Sequence, residues 1–122
     1  MLSVGDKLPD FDVALQEGTD LPEDGFMRVD QNSFDGQWKI LFFWPKDFTF
    51  ICPTEILAFD ELVEDFAKLN AIILGASTDT DFVHLAWRRS REDLGAVRFP
   101  WLADNKKELT SAMRVLDGRE GL

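Results

Sequence analysis

An unbroken apolar run over residues 40–44 constrains the fold most, because a strand that is apolar on both faces is usually buried on both sides. An amphipathic stretch with helical spacing follows, from Cys52 to about Leu69. A second apolar run covers residues 71–76. The order strand, helix, strand predicts a βαβ unit with parallel strands inside an α/β domain.

Shorter elements are predicted on both sides of this unit. Ser77, Thr78 and Asp79 offer N-caps for a helix that runs to about Arg91. The other predicted elements are a hairpin of residues 11–15 and 26–29, a short strand near 100–102 and a helix over 106–114. We interpret residues 1–122 as a single domain, since this length allows at most one.

Composition excludes several classes of function. A formal net charge of −10 argues against nucleic-acid binding, which needs clustered Lys and Arg. No apolar run is long enough to span a membrane, and the N-terminus has no signal-peptide pattern. One cysteine excludes a disulfide scaffold and indicates a reducing compartment, so we expect a cytoplasmic protein. Residues 30–35 resemble a calcium loop only in their first positions, and no metal site is predicted.

The loop between the first apolar strand and the helix carries the candidate chemistry. The only cysteine, Cys52, lies where the helix begins, and unpaired N–H groups at a helix N-terminus favour a thiolate. Pro53 fits the first helical turn, because it lacks the donor that would be orphaned there. In a tight loop the Thr49 hydroxyl, three residues earlier, would be close enough to reach the sulfur. Pro45 ends the strand and can wall the pocket off from water, while Glu55 either stabilises the helix start or joins a local hydrogen-bond network.

Residues 42–56 read Phe-Phe-Trp-Pro-Lys-Asp-Phe-Thr-Phe-Ile-Cys-Pro-Thr-Glu-Ile. This segment resembles the active site of typical 2-Cys peroxiredoxins, and within them the alkyl hydroperoxide reductase (AhpC) group. The resemblance rests on the spacing Pro-x-x-x-Thr-x-x-Cys of Pro45, Thr49 and Cys52. It extends to residues 73–79, 84–87 and 99–104, and so covers most of residues 38–117.

The resemblance implies a thioredoxin-like α/β fold and a thiol peroxidase. Cys52 would be the peroxidatic cysteine that becomes a sulfenic acid, Thr49 would hydrogen-bond the thiolate and the peroxide, and Pro45 would shield the sulfenic acid from over-oxidation. It implies no metal, haem or flavin. A resolving cysteine would form a disulfide, which a thioredoxin-like or dedicated protein reductase would reopen. Family members commonly form homodimers and rings of dimers.

Two features of the family pattern are not found in these 122 residues. The family arginine and the C-terminal resolving cysteine are missing, and neither Arg114 nor Arg119 stands at the arginine position. We therefore expect a chain that lacks the C-terminal strands and helix of the fold and leaves strand 40–44 with an unpaired apolar edge. We also expect Cys52 to be partly ionised but slow with peroxide, since a fixed cation would stabilise the leaving alkoxide.

Other functions remain open from the residues alone. A disulfide oxidoreductase usually needs Cys-x-x-Cys, but here Glu55 takes the second place. A cysteine hydrolase needs a paired base, and His84, the only histidine, has no obvious orienting carboxylate. We assign His84 a structural or interface role and Trp87 a place in the core. The alternative to an enzyme is an inactive fragment or an interaction module.

Overall fold

The computed structural model describes residues 3–23, 25–49, 52–119 and 121, and of Cys52 it describes the backbone alone. The strands are β1 (Asp12–Gln16), β2 (Met27–Asp30), β3 (Trp38–Phe43), β4 (Ala71–Ser77) and β5 (Trp101–Ala103). The helices are α1 (Cys52–Asp60), α2 (Val63–Lys68), α3 (Asp81–Ser90), α4 (Glu92–Gly95) and α5 (Glu108–Ala112). None of the helices described here is long and apolar enough to cross a bilayer.

The strands form one mixed sheet in the order β2-β1-β5-β4-β3. Strands β3 and β4 pair in parallel, with Ile40 opposite Ile73, and β4 pairs in parallel with β5. Strand β1 runs antiparallel to both β2 and β5. The predicted βαβ unit and the predicted N-terminal hairpin are therefore confirmed.

Strand β3 lies at the edge of the described sheet, as expected for a strand with an unpaired apolar edge. Its residues from Lys39 to Phe43 are only half-buried, and Trp38 at its start is 76% exposed. The prediction that this strand is buried on both sides is therefore wrong. The physical reason is that β4 is the only neighbour of β3 among the described strands. The side chains of β3 are therefore uncovered on the side away from β4.

The predicted long helix after Cys52 is two helices. The break falls at Glu61 and Leu62, where the Leu62 N–H donates to the Phe59 carbonyl at 3.0 Å, a tighter turn than the α-helical one. Leu62 is 42% exposed, whereas Phe59 and Val63 on either side of the break pack against the core. The break thus keeps the apolar side chains of both helices on the sheet.

The start of α3 also differs from the prediction. Its N-cap is Thr80, whose hydroxyl oxygen accepts a hydrogen bond from the Val83 N–H at 3.3 Å. Ser77 is instead the last residue of β4, and Asp79 binds the loop that follows β3. None of the three predicted caps, Ser77, Thr78 and Asp79, is therefore the N-cap, and α4 was not predicted at all.

Each face of the sheet carries an apolar cluster. One is built from Trp44, Ile56, Ile73, Trp87, Leu94, Val97, Phe99 and Trp101. The other is built from Phe11, Val13, Leu15, Val29, Leu74, Ala76, Leu102 and Leu109. Trp87 lies in the core as predicted, and the first cluster includes Trp44, at the start of the loop that leads to Cys52.

Candidate active site

The candidate site lies at the carboxyl ends of the parallel strands β3, β4 and β5, which is where α/β sheets generally place their ligands. Trp44 extends the β3 ladder by one bond, from its N–H to the Ala76 carbonyl at 3.1 Å. The chain then leaves the sheet and enters α1, whose first residues are Cys52 and Pro53. Phe50, Ile51 and the Cys52 side chain lie outside the described residues. The predicted contact between the Thr49 hydroxyl and the sulfur therefore stays a prediction.

Asp47 fixes the loop to the sheet and to helix α3. One carboxylate oxygen, Oδ1, accepts from Trp44 Nε1 at 2.7 Å and from the Ser77 hydroxyl at 3.5 Å. The other, Oδ2, lies 2.6 Å from His84 Nδ1. The Asp47 backbone N–H donates to Asp79 Oδ2 at 2.6 Å. A carboxylate that is only 2% exposed is thus satisfied by three separate parts of the chain.

His84 is completely buried, and both of its ring nitrogens are occupied. Nε2 lies 3.0 Å from the Leu102 carbonyl, which can only accept, so Nε2 carries a hydrogen. The contact of Nδ1 with Asp47 then holds one further proton, as an imidazolium with a carboxylate or as an imidazole with a carboxylic acid. Both forms have no net charge, which is why the pair tolerates burial. Sequence reasoning found no carboxylate to orient His84, and the structure shows that Asp47 does so.

Thr49 and Pro45 stand on the exposed side of the same loop. The half-buried Thr49 donates its hydroxyl hydrogen to the Lys46 carbonyl at 3.2 Å, which closes a short turn. Pro45 is exposed directly after Trp44. Glu55 is exposed in the first turn of α1, where the helix dipole favours a carboxylate.

Phe48 was not singled out from the sequence, but its backbone is unusual. Its φ of 60° is left-handed, which costs a residue with a Cβ about 1–2 kcal/mol. The side chain is 57% exposed, and its ring centroid lies 6.0 Å from that of Trp87. The loop therefore holds a strained residue between its anchor at Asp47 and Thr49.

Arg88 is a buried cation near the amino end of β5, and no sequence pattern predicted its role. Its Nη1 donates to the Val97 carbonyl at 3.0 Å and its Nη2 to the Phe99 carbonyl at 2.8 Å. The guanidinium carbon stands 4.0 Å above the Trp101 ring. Burial lowers the pKa of Arg88 to about 10. Because the side chain is 1% exposed and both of its terminal nitrogens are bound, Arg88 braces the segment before β5 and is not free to bind a peroxide.

No group of three His, Cys, Asp or Glu residues in the described parts of the chain could hold a metal ion. In the calcium-like segment, residues 30–35, the Asp30 side chain at the end of β2 is used for the turn that follows. Asp30 Oδ1 accepts from the Asn32 N–H at 2.9 Å and from the Ser33 hydroxyl at 3.3 Å.

The mixed sheet, the covering helices and a cysteine at a loop–helix junction define an α/β protein of the thioredoxin-like class. The AhpC/TSA family model matches residues 4–122, and the chain belongs to that family. Within it the chain falls in the AhpC group of the 2-Cys peroxiredoxins.

Individual relatives agree with this assignment. Alkyl hydroperoxide reductase C of Mycolicibacterium smegmatis is 48% identical over 124 residues, which cover 96% of this chain and 64% of the relative. The solved structure of Mycobacterium tuberculosis AhpC is 42% identical with a TM-score of 0.86, over 97% of this chain and 70% of that one. Enterococcus faecalis AhpC is 35% identical with a TM-score of 0.87, over 94% and 66%. The chain thus spans 64% of the length of the M. smegmatis relative.

Proposed function

We propose that this protein is a thiol peroxidase that reduces hydrogen peroxide and organic hydroperoxides through a sulfenic acid at Cys52. The observation that carries the proposal is the position of the only cysteine, in the first turn of α1 at the carboxyl edge of the parallel strands. Membership of the AhpC/TSA family and identity with proteins named alkyl hydroperoxide reductase C support the same chemistry.

The first step is a displacement at oxygen. The N-terminus of α1 carries unpaired N–H groups and a partial positive charge, which favour the Cys52 thiolate over the thiol. The thiolate sulfur attacks the terminal peroxide oxygen, so that an S–O bond forms and the O–O bond breaks. Sulfur is oxidised by two electrons to the sulfenic acid, and the leaving alkoxide or hydroxide takes a proton and departs as an alcohol or water.

Thr49 and Pro45 prepare this step in our proposal. The Thr49 hydroxyl exchanges its bond to the Lys46 carbonyl for one to the thiolate, and the peroxide then binds beside it. A hydrogen bond to a charged group contributes about 1.5–3 kcal/mol. Pro45 closes the exposed side of the loop and keeps a second peroxide away from the sulfenic acid.

A second thiol is needed to complete the cycle. Because the 122 residues hold one cysteine, the resolving thiol comes from outside them. It attacks the sulfenic sulfur, a disulfide forms and water leaves. A thioredoxin-like or dedicated protein reductase then returns both thiols. We further propose that the protein acts in the cytoplasm as a homodimer or a ring of dimers.

The rival chemistry of a cysteine hydrolase has less support. It requires a base that can take the proton of Cys52. Both ring nitrogens of His84 are instead held, by Asp47 at 2.6 Å and by the Leu102 carbonyl at 3.0 Å.

The test is to treat the folded protein with low peroxide in the presence of a sulfenic-acid-specific probe. We expect Cys52 to be labelled and Cys52→Ser to give no label. Thr49→Val should slow labelling by roughly 10- to 100-fold, the kinetic equivalent of one charge-assisted hydrogen bond. Thr49→Ser keeps a hydroxyl at the same position and should recover most of the rate. A folded wild-type chain that remains unlabelled would favour the inactive fragment or interaction module.

A further inference from the structure

We propose that Asp47 is a positioning residue of this site. Its buried carboxylate fixes the loop that carries Thr49 and leads into Cys52, so the reactivity of Cys52 depends on a group that need not touch the peroxide. The inference rests on the proposed peroxidase function and goes beyond the cysteine, threonine and proline of the sequence motif.

Several elements of the fold meet at this one side chain. The carboxylate binds Trp44 at the end of β3, Ser77 at the end of β4 and His84 on α3. His84 continues the connection to the Leu102 carbonyl on β5. Three parallel strands and one helix are thus linked through Asp47, which makes it a rigid point in a loop that otherwise lies at the surface.

Asp47 lies close to the residues that we propose take part in the reaction. Thr49 is two residues further along the chain, and its hydroxyl binds the carbonyl of Lys46, the residue just before Asp47. Phe48, between them, is held in a left-handed conformation that it would leave if the anchor were lost. Its relaxation would move the Thr49 hydroxyl. A misplacement of about 1 Å can cost a catalysed reaction roughly 10²-fold.

The geometry predicts different effects for two substitutions of Asp47. Asp47→Ala leaves the Trp44 Nε1 donor and His84 Nδ1 buried without their partner, and the loop must rearrange to satisfy them. Asp47→Asn keeps an oxygen for Trp44 and places an amide N–H against Nδ1 of neutral His84, whose Nε2 still donates to Leu102. Asp47→Asn therefore preserves the connections that Asp47→Ala destroys.

The experiment compares these variants with a control substitution that lowers the free energy of unfolding by a similar amount. Leu109→Ala removes a fully buried side chain from the cluster on the opposite face of the sheet, at about 2–5 kcal/mol. Each protein is kept at a temperature where circular dichroism shows it folded. Since the chain has one cysteine, the rate of iodoacetamide alkylation against pH reports Cys52 alone, and the rate of thiol loss with hydrogen peroxide is measured in parallel.

We expect Asp47→Ala to oxidise about 10²-fold more slowly than the wild type and to shift its alkylation profile towards that of free cysteine. Asp47→Asn should recover most of the lost rate, and Leu109→Ala should leave both readouts unchanged. If Asp47→Ala fails to fold, Asp79→Ala is the milder variant, because it releases the Asp47 backbone N–H and a long contact with the Ser77 hydroxyl but leaves the Asp47 carboxylate in place. It should slow oxidation about tenfold, with rescue by Asp79→Asn.

Two results would overturn the inference. One is a folded Asp47→Ala or Asp79→Ala that reacts like the wild type in both assays. The other is a Leu109→Ala control that is slowed as much as they are, because the effect would then be one of general stability. If the wild type itself is not oxidised, the peroxidase proposal fails, and the alkylation profiles still decide whether Asp47 positions Cys52.

Discussion

Gly75 in the middle of β4 is the position where the packing beneath the loop can be tested by a single methyl group. A Cβ built there would lie 2.5 Å from Trp44 Cζ3, 3.0 Å from Trp44 Cη2 and 3.1 Å from Phe99 Cε2. Carbon atoms in contact normally stand about 3.5–4.0 Å apart. Gly75→Ala therefore forces the Trp44 indole to move by about 1 Å, which also strains its 2.7 Å hydrogen bond to Asp47.

Two opposing effects set the change in the free energy of unfolding caused by Gly75→Ala. Overpacking of this kind costs about 1–3 kcal/mol. Replacing glycine by alanine also restricts the unfolded chain, which returns about 0.4–1 kcal/mol. We expect Gly75→Ala to lose roughly 1–2 kcal/mol of the free energy of unfolding, measured by urea denaturation followed by circular dichroism.

Gly118→Ala is the matched control, because none of the described residues has an atom within 4 Å of a Cβ built at that exposed position. It should be as stable as the wild type or slightly more stable. Trp44→Phe provides a second check, since the smaller ring vacates the space that the new methyl group enters. Gly75→Ala should cost less in that background. Equal stability of Gly75→Ala and the wild type, or identical costs in both backgrounds, would refute the proposed contact.

Two further predictions concern parts of the fold away from the loop. Asp104→Ala should lose about 2–4 kcal/mol of the free energy of unfolding, measured by urea denaturation. The reason is that the buried carboxylate accepts hydrogen bonds from two N–H groups at the start of α5 and from the Thr110 hydroxyl. A loss below about 0.5 kcal/mol would contradict this. Arg98→Ala should lose less than about 1 kcal/mol of the free energy of unfolding, and still less at high salt, because its ion pairs with Asp60 and Glu64 lie at the surface. A larger loss that salt does not change would contradict this.

The parts of the fold that the sequence predicts are those whose signals are local. The apolar runs of β3 and β4 and the short stretches that become β1 and β2 each lie within a few residues, and the strands form there. The helix after Cys52 was predicted too long, because Leu62 continues the apolar spacing although its side chain faces solvent. Periodicity records which residues are apolar but not where the chain must turn to keep them on the sheet.

The candidate site also has residues that the sequence predicts and residues that it does not. The positions of Cys52, Thr49 and Pro45 on one loop followed from their spacing, since neighbours along the chain stay neighbours in space. The pairing of Asp47 with His84 joins residues 37 positions apart, and no spacing rule connects them. The N-cap of α3 was misassigned for a related reason, because Asp79 is drawn away by the backbone of the loop.

The central claim is that the Thr49 hydroxyl speeds the breaking of the O–O bond as well as favouring the thiolate, although the reaction stays slower than with the family arginine. The most direct test is the rate constant for loss of the Cys52 thiol with hydrogen peroxide, divided by the fraction ionised and compared with that of the free cysteine thiolate. A hydrogen bond to the peroxide that becomes charge-assisted as the O–O bond breaks predicts a rate at least about tenfold faster for Cys52. Equal rates for the two thiolates would contradict the account.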